Sequence, residues 1–193
     1  MLNPPFLEFR PGKGKRGYDE IMDILNKRIE ESLIALNTDY IDVMLYHSAE
    51  LESLCFHDAV LKFYDNQKSS GIIKAHGFSS HDYELDLVKR NNLDGFYDVI
   101  VHPFNFQGSF IHSLSRWSAI WDQELLIELL KEAHSKGTGI IAMKTCSGGP
   151  HSLTPGGMAT YHDAVKWVTD KDYVNSATVA MPSYEQVSEI LGE

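Results

Sequence analysis

The sequence predicts an α/β fold in which short parallel strands alternate with covering helices. Three observations predict it: five short apolar runs with strand length, amphipathic helical stretches between them, and polar or glycine punctuation at each junction. With 193 residues and 43% apolar content the chain is sized for one domain with its own core.

The elements follow in order. Residues 1–17 hold Pro4-Pro5, Pro11 and three glycines, which is loop composition. From Tyr18 to Leu36 the residues Ile21, Leu25, Ile29, Leu33 and Leu36 recur at three- or four-residue spacing, predicting an amphipathic helix. Tyr40 to Tyr46 reads as a buried strand. A helix containing Ala59, Val60, Leu61, Phe63 and Tyr64 ends near Gly71, and Ile72 to Phe78 forms the second strand. A helix over Asp82 to Arg90 precedes a strand at Tyr97 to Val101. After a long loop, Gln123 to Ser135 is helical, stopped by Lys136-Gly137, and Gly139 to Met143 is the fourth strand. A helix over Tyr161 to Thr169, a strand at Ser176 to Met181 and a helix starting at Ser183 complete the chain.

Charge and cysteine content exclude several classes. A net charge of -10 opposes general affinity for nucleic acid or anionic membrane, and the one basic run, Lys13 to Arg16, reads as a solvated loop. Cys55 and Cys146 share no CxxC spacing, so neither a disulfide framework nor a cysteine-held zinc or iron-sulfur site is expected. No apolar run approaches the roughly 20 residues of a membrane span. A soluble, cytoplasmic protein is expected.

Five units fit either an open doubly wound sheet or part of an eight-stranded barrel. Chemistry gathers at the C-terminal strand ends in both. No GxGxxG follows the first strand, which ends in Tyr46-His47-Ser48 instead. The other ends are His76 to His81, His102-Pro-Phe-Asn105, Lys144 to Gly149, and Pro182-Ser183. An imidazole at such an end can donate to a substrate carbonyl or act as general acid.

The stretch Arg28-Ile-Glu-Glu-Ser-Leu-Ile-Ala-Leu-Asn-Thr-Asp-Tyr-Ile-Asp-Val-Met-Leu-Tyr-His47 resembles the aldo/keto reductase signature that leads through a helix into the fourth barrel strand. The resemblance implies a partial (β/α)8 barrel of about five units, strands four to eight, over residues 1–193. It also implies that His47 binds and polarises a substrate carbonyl while a reduced nicotinamide delivers hydride.

Further segments are similar to the family in the same order. Ile73 to His81 resembles its IRxIGxSN stretch, so Ser79 takes the place of the serine that binds the nicotinamide carboxamide, and Ser80 stands where the family has asparagine. Gly137 to Gly149 looks like the GxGVIAMKPLGGG of the branch often found beside iron-sulfur modules. It implies cofactor contacts at Met143, Lys144, Gly148 and Gly149, with Met143 where many relatives stack a tyrosine. Thr178 to Glu189 is similar to VIPGMSSxEQLEEN, which implies Ser183, Gln186 and Glu189 at the adenosine phosphate end. NADPH or NADH is the cofactor so implied.

The resemblance begins just before the family's fourth strand. The chain therefore lacks the tyrosine, lysine and aspartate that complete the family's catalytic tetrad. The reading is an NAD(P)H-dependent carbonyl oxidoreductase acting on a small aldehyde or ketone, inactive as this chain alone. The alternatives are a non-catalytic nicotinamide-binding or regulatory relative, and a metal-dependent barrel hydrolase using His47, His76, His81 and His102. Unpaired sheet edges predict self-association or completion by another segment. The aromatics Phe106, Phe110, Trp117 and Trp121 are candidates for a substrate pocket.

Overall fold

In a computed structural model, the structure describes residues 17–49, 52–81, 84–111, 118–146 and 160–192. The N-terminal loop reading lies almost wholly outside the described residues.

The first helix, α1 (Tyr18–Leu36), buries Ile21, Leu25 and Ile29, one residue per turn along a single stripe. Asn37 ends it in the left-handed conformation at φ 51°, one of the few roles in which a non-glycine residue adopts that shape readily. The chain enters β1 (Ile41–His47), then the single-turn α2 (Glu52–Cys55), α3 (Asp58–Ser69) and β2 (Ile73–Ser79). Next come α4 (Asp86–Asp94), β3 (Val99–Pro103) and a small hairpin of β4 (Ser109–Ile111) and β5 (Ser118–Ile120). Then follow α5 (Gln123–Ser135), β6 (Gly139–Met143), α6 (Tyr161–Thr169), β7 (Ser176–Ala177) and α7 (Tyr184–Leu191).

The main sheet has the order β1-β2-β3-β6-β7, with every pair parallel. Each strand lies beside the one before it, so the winding never reverses. A doubly wound sheet must reverse at its switch point, whereas a barrel does not. The sheet is therefore an arc of a (β/α) barrel, five strands of the eight that closure needs.

Side-chain parity separates its two faces. Met44 and Tyr46 of β1, His76 and Phe78 of β2, and Ile140 and Ala142 of β6 are buried, and the His76 ring stacks 5.0 Å from Tyr64 of α3. That face carries the helices. Alternation puts Val43, Leu45, His47, Ala75, Gly77, Ser79, Val99, Val101 and Ile141 on the other, inner face. Gly77 supports this directly, because a Cβ built there points at Val99 and Leu45. The inner face is partly open, with Val43 43% exposed at the β1 edge. At the far edge, α7 buries none of its residues and leaves Tyr184 and Leu191 exposed.

Beneath the helices His76 lies in a ring of Tyr64, Phe96 and Tyr97, with only 3% of its surface exposed. Its Nδ1 is 3.0 Å from Asp98 Oδ2, yet neither ring nitrogen makes a hydrogen bond among the described residues. Burial dominates and lowers the His76 pKa, although the Asp98 carboxylate pulls the other way. Burial would raise the pKa of Asp98 itself, but its hydrogen bonds from Lys68 Nζ at 2.7 and 2.6 Å and from the His76 amide at 3.0 Å prevail and lower it. A neutral folded histidine binds fewer protons than the unfolded one. Stability is then full above the unfolded pKa of about 6.5 and falls as pH drops below it. We expect His76→Phe, which keeps the ring stack, to flatten the stability profile between about pH 5 and 6.5; equilibrium urea titrations across that range check it.

Candidate active site

The C-terminal ends of the parallel strands meet at one edge of the arc. In the ladder His47 of β1 pairs with Ser79 of β2, and Ser79 pairs with Val101 of β3. His47 and Ser79 are therefore cross-strand neighbours on the inner face, about 4.8 Å apart along the hydrogen-bonding direction. Met143 ends β6 opposite Pro103 of β3, and Lys144 follows it in the left-handed region at φ 54°. The structure thus gathers four of the residues singled out by sequence along one rim.

The turn after His47 is tightly held. Ser48 is left-handed at φ 54°, its hydroxyl lies 3.5 Å from His47 Nδ1, and Ala49 is fully buried. The Ala49 amide donates to Ser79 O at 2.9 Å, and Ser80 Oγ donates to Ala49 O at 2.5 Å. Ser80 is fully buried, so its hydroxyl proton serves the backbone.

Asn105 is the member of the rim to which the sequence gives a strand-end place but no role. It is buried beyond β3, and its Nδ2 donates to Ser109 O at 2.8 Å and Lys144 O at 3.0 Å, while its Oδ1 accepts from the Gln107 amide at 2.9 Å. Gln123 Nε2 donates to the Asn105 carbonyl at 2.8 Å and Gln123 Oε1 accepts from Trp121 Nε1 at 2.7 Å. One amide therefore ties the loop after β3, the hairpin and the Lys144 backbone together. Its position at the end of an apolar strand was the only sequence signal for it.

The remaining candidates separate from this rim. Ser183 caps α7, its side chain accepting from the Gln186 amide at 3.3 Å. Glu189 Oε1 accepts from the Tyr161 amide at 2.8 Å, so this carboxylate caps the start of α6. Gln186 Oε1 is buried without a hydrogen-bond partner among the described residues. Gly148 and Gly149 lie outside the described residues, as does Trp117. Phe110 and Trp121 are buried in the hairpin core, with Phe110 5.4 Å from the His81 ring, while Phe106 stays exposed against Trp167. Phe110 and Trp121 are packing, and of the described candidates among these aromatics only Phe106 is open to a ligand.

The histidines do not converge. His76 and His102 lie on the helix-bearing face, the latter with Nδ1 2.8 Å from Pro103 O and its ring edge-on to Trp121, whereas His47 is on the inner face. Among the described residues no group of three or more His, Cys, Asp or Glu side chains is placed to hold a metal ion.

Solved structures share this fold. The holo form of aldo-keto reductase AKR11C1 from Bacillus halodurans matches with TM-score 0.64 at 15% identity, over 89% of this chain and 59% of that one. Its apo form gives TM-score 0.65 at 16% identity, over 89% and 62%. A candidate aldo-keto reductase of Pseudomonas aeruginosa gives TM-score 0.64 at 18% identity, over 96% and 61%. The chain has the aldo-keto reductase fold, in part. It spans about three fifths of the length of these aldo-keto reductases, consistent with five barrel strands of eight. No protein-family model and no curated protein matches the sequence. No described helix is long and apolar enough to cross a membrane.

Proposed function

We propose that this chain is the strand-four-to-eight part of an aldo/keto reductase, of the branch often associated with iron-sulfur modules, whose complete barrel reduces a small aldehyde or ketone. The observation that carries the reading is the pairing of His47 with Ser79 on the inner face, at the strand ends, in a sheet wound as a barrel. His47 would donate a hydrogen bond to the substrate carbonyl oxygen and polarise it. Ser79, 3% exposed, would hold a nicotinamide carboxamide with its hydroxyl, which can donate and accept. Met143 and Lys144 would line the ring's far side, and Gly148 and Gly149 would admit the diphosphate. The unpartnered Gln186 Oε1 fits a donor from the adenosine end, beside Ser183 and Glu189. A reduced nicotinamide, NADPH or NADH, supplies the hydride when bound.

The tyrosine beside His47 is not placed to supply the proton. Tyr46, next to His47, is buried on the helix-bearing face, and burial raises its pKa far from any acid role at neutral pH. That placement also favours a second reading, a nicotinamide-binding relative without turnover. Two free thiols, Cys55 and Cys146, accord with the cytoplasm as its compartment. The open edge strands would be covered by further strands or by self-association.

Titrating NADPH or NADH while following the fluorescence of the three tryptophans tests the reading. Saturable quenching below millimolar cofactor is expected, and none at millimolar would refute cofactor binding. Adding an aldehyde to the complete barrel, with the strands this chain lacks supplied, then separates the two readings, since consumption of NADPH marks the enzyme and binding without consumption the non-catalytic relative.

A further inference from the structure

Resting on the reading of His47 as the carbonyl-binding group, we propose that Ser80 is a positioning residue for His47, acting through the backbone of Ala49 and not through a cofactor. His47 is the last residue of β1, and its direction is set by the ladder on one side and by the Ser48-Ala49 turn on the other. The ladder ends at the His47–Ser79 pair. Beyond it the turn would be free to pivot, because Ser48 has already left the extended conformation at φ 54°.

Two hydrogen bonds from consecutive residues of the neighbouring strand prevent that pivot. Ser79 O accepts from the Ala49 amide at 2.9 Å, and Ser80 Oγ donates to the Ala49 carbonyl at 2.5 Å. Ser80 is itself anchored, its amide donating to Val101 O of β3 at 3.0 Å. Both Ala49 and Ser80 are fully buried, so the Ala49 carbonyl cannot exchange Ser80 for solvent without opening the turn. The hydroxyl thus extends the β1-β2-β3 register by one side-chain rung past the last strand residue, and that rung holds the imidazole at the rim. A residue that lacks a hydroxyl there would leave a buried carbonyl unpaired and the turn after His47 held by the Ala49 amide alone.

The test uses imidazole NMR of the chain as it stands, with no cofactor or carbonyl present, so its outcome is independent of whether either binds. In Ser80→Ala the His47 ring resonances should shift or broaden while those of His76, His102, His134 and His162 stay in place, and Ser80→Thr should restore the original His47 signals. A Ser80→Ala protein that is folded with His47 unmoved overturns the proposal, as does a uniform displacement of all five rings, which would mark a merely structural loss. Should Ser80→Ala not fold, Ala49→Gly reports instead: it keeps the Ala49 carbonyl that Ser80 bonds and the Ser48 hydroxyl beside His47, and loosens the turn. His47 signals retained in Ala49→Gly support the clamp, and His47 signals broadened there show that Ser80 does not fix the turn.

Discussion

Gly77→Ala is expected to abolish the native fold or lower its stability by at least about 3 kcal/mol, at the upper end of overpacking costs. An added Cβ would lie 2.2 Å from the Val99 carbonyl oxygen, 2.8 Å from Val99 Cβ and 2.9 Å from Leu45 Cδ2. The oxygen is backbone and Gly77 pairs with Val99 in the β2-β3 ladder, so no rotamer change can relieve the contact. Relief would require β2 and β3 to part, at the centre of the only parallel sheet described. Domains of this kind have on the order of 5–15 kcal/mol to lose in all. Soluble yield and the urea midpoint measure the effect, and an unchanged midpoint would show that β2 and β3 are not so closely apposed.

Asn105→Ala is expected to cost about 2 to 3 kcal/mol, because it leaves partly buried backbone groups of three residues without their side-chain partner. Those groups are Ser109 O, Lys144 O and the Gln107 amide. The loss should not be uniform. The Lys144 carbonyl belongs to a residue in the left-handed region, so faster amide exchange should appear first in residues 143–146 and in the hairpin. Asn105→Asp should be no better, since it sets a carboxylate against two carbonyl oxygens. Equal protection across the rim in Asn105→Ala would contradict the role of this amide.

Much of the scaffold was legible because burial on one side writes a period into the sequence. The bounds of α1, α5, β6 and α6 agree with the expected ones, each being a run of apolar residues with a clear stop. The first three strands extend one or two residues further toward the polar ends than expected, since the ladder continues through His47, Ser79 and Pro103 after the apolar pattern stops. The last strand is shorter, two residues against six, because β7 is an edge strand with β6 alone to pair with. The helix expected from Asp82 begins at Asp86, after a buried Leu85 held at φ 64°. Neither α2 nor the β4-β5 hairpin was visible, as elements of three or four residues are too short to show a period.

The site was legible in its landmarks and less so in its roles. His47, Ser79, Met143 and Lys144 reach one rim, as expected from their places at strand ends. Strand parity separates His76 and His102 from them, and parity depends on which face the helices cover, which the strands alone do not say. Ser80 and Glu189 read as cofactor contacts in sequence, yet their side chains bond backbone groups at Ala49 and Tyr161. Short polar residues at element junctions look alike whether they meet a ligand or cap a helix, because the same hydroxyl or carboxylate serves both.

Chemical-shift mapping of the chain with NADPH tests the central claim, that the C-terminal rim of the sheet is a nicotinamide site, most directly. Saturable shifts centred on His47, Ser79, Met143 and Lys144 are expected. Shifts confined to the opposite strand ends, at Ile41, Ile73 and Gly139, or no shifts at millimolar cofactor, would contradict it.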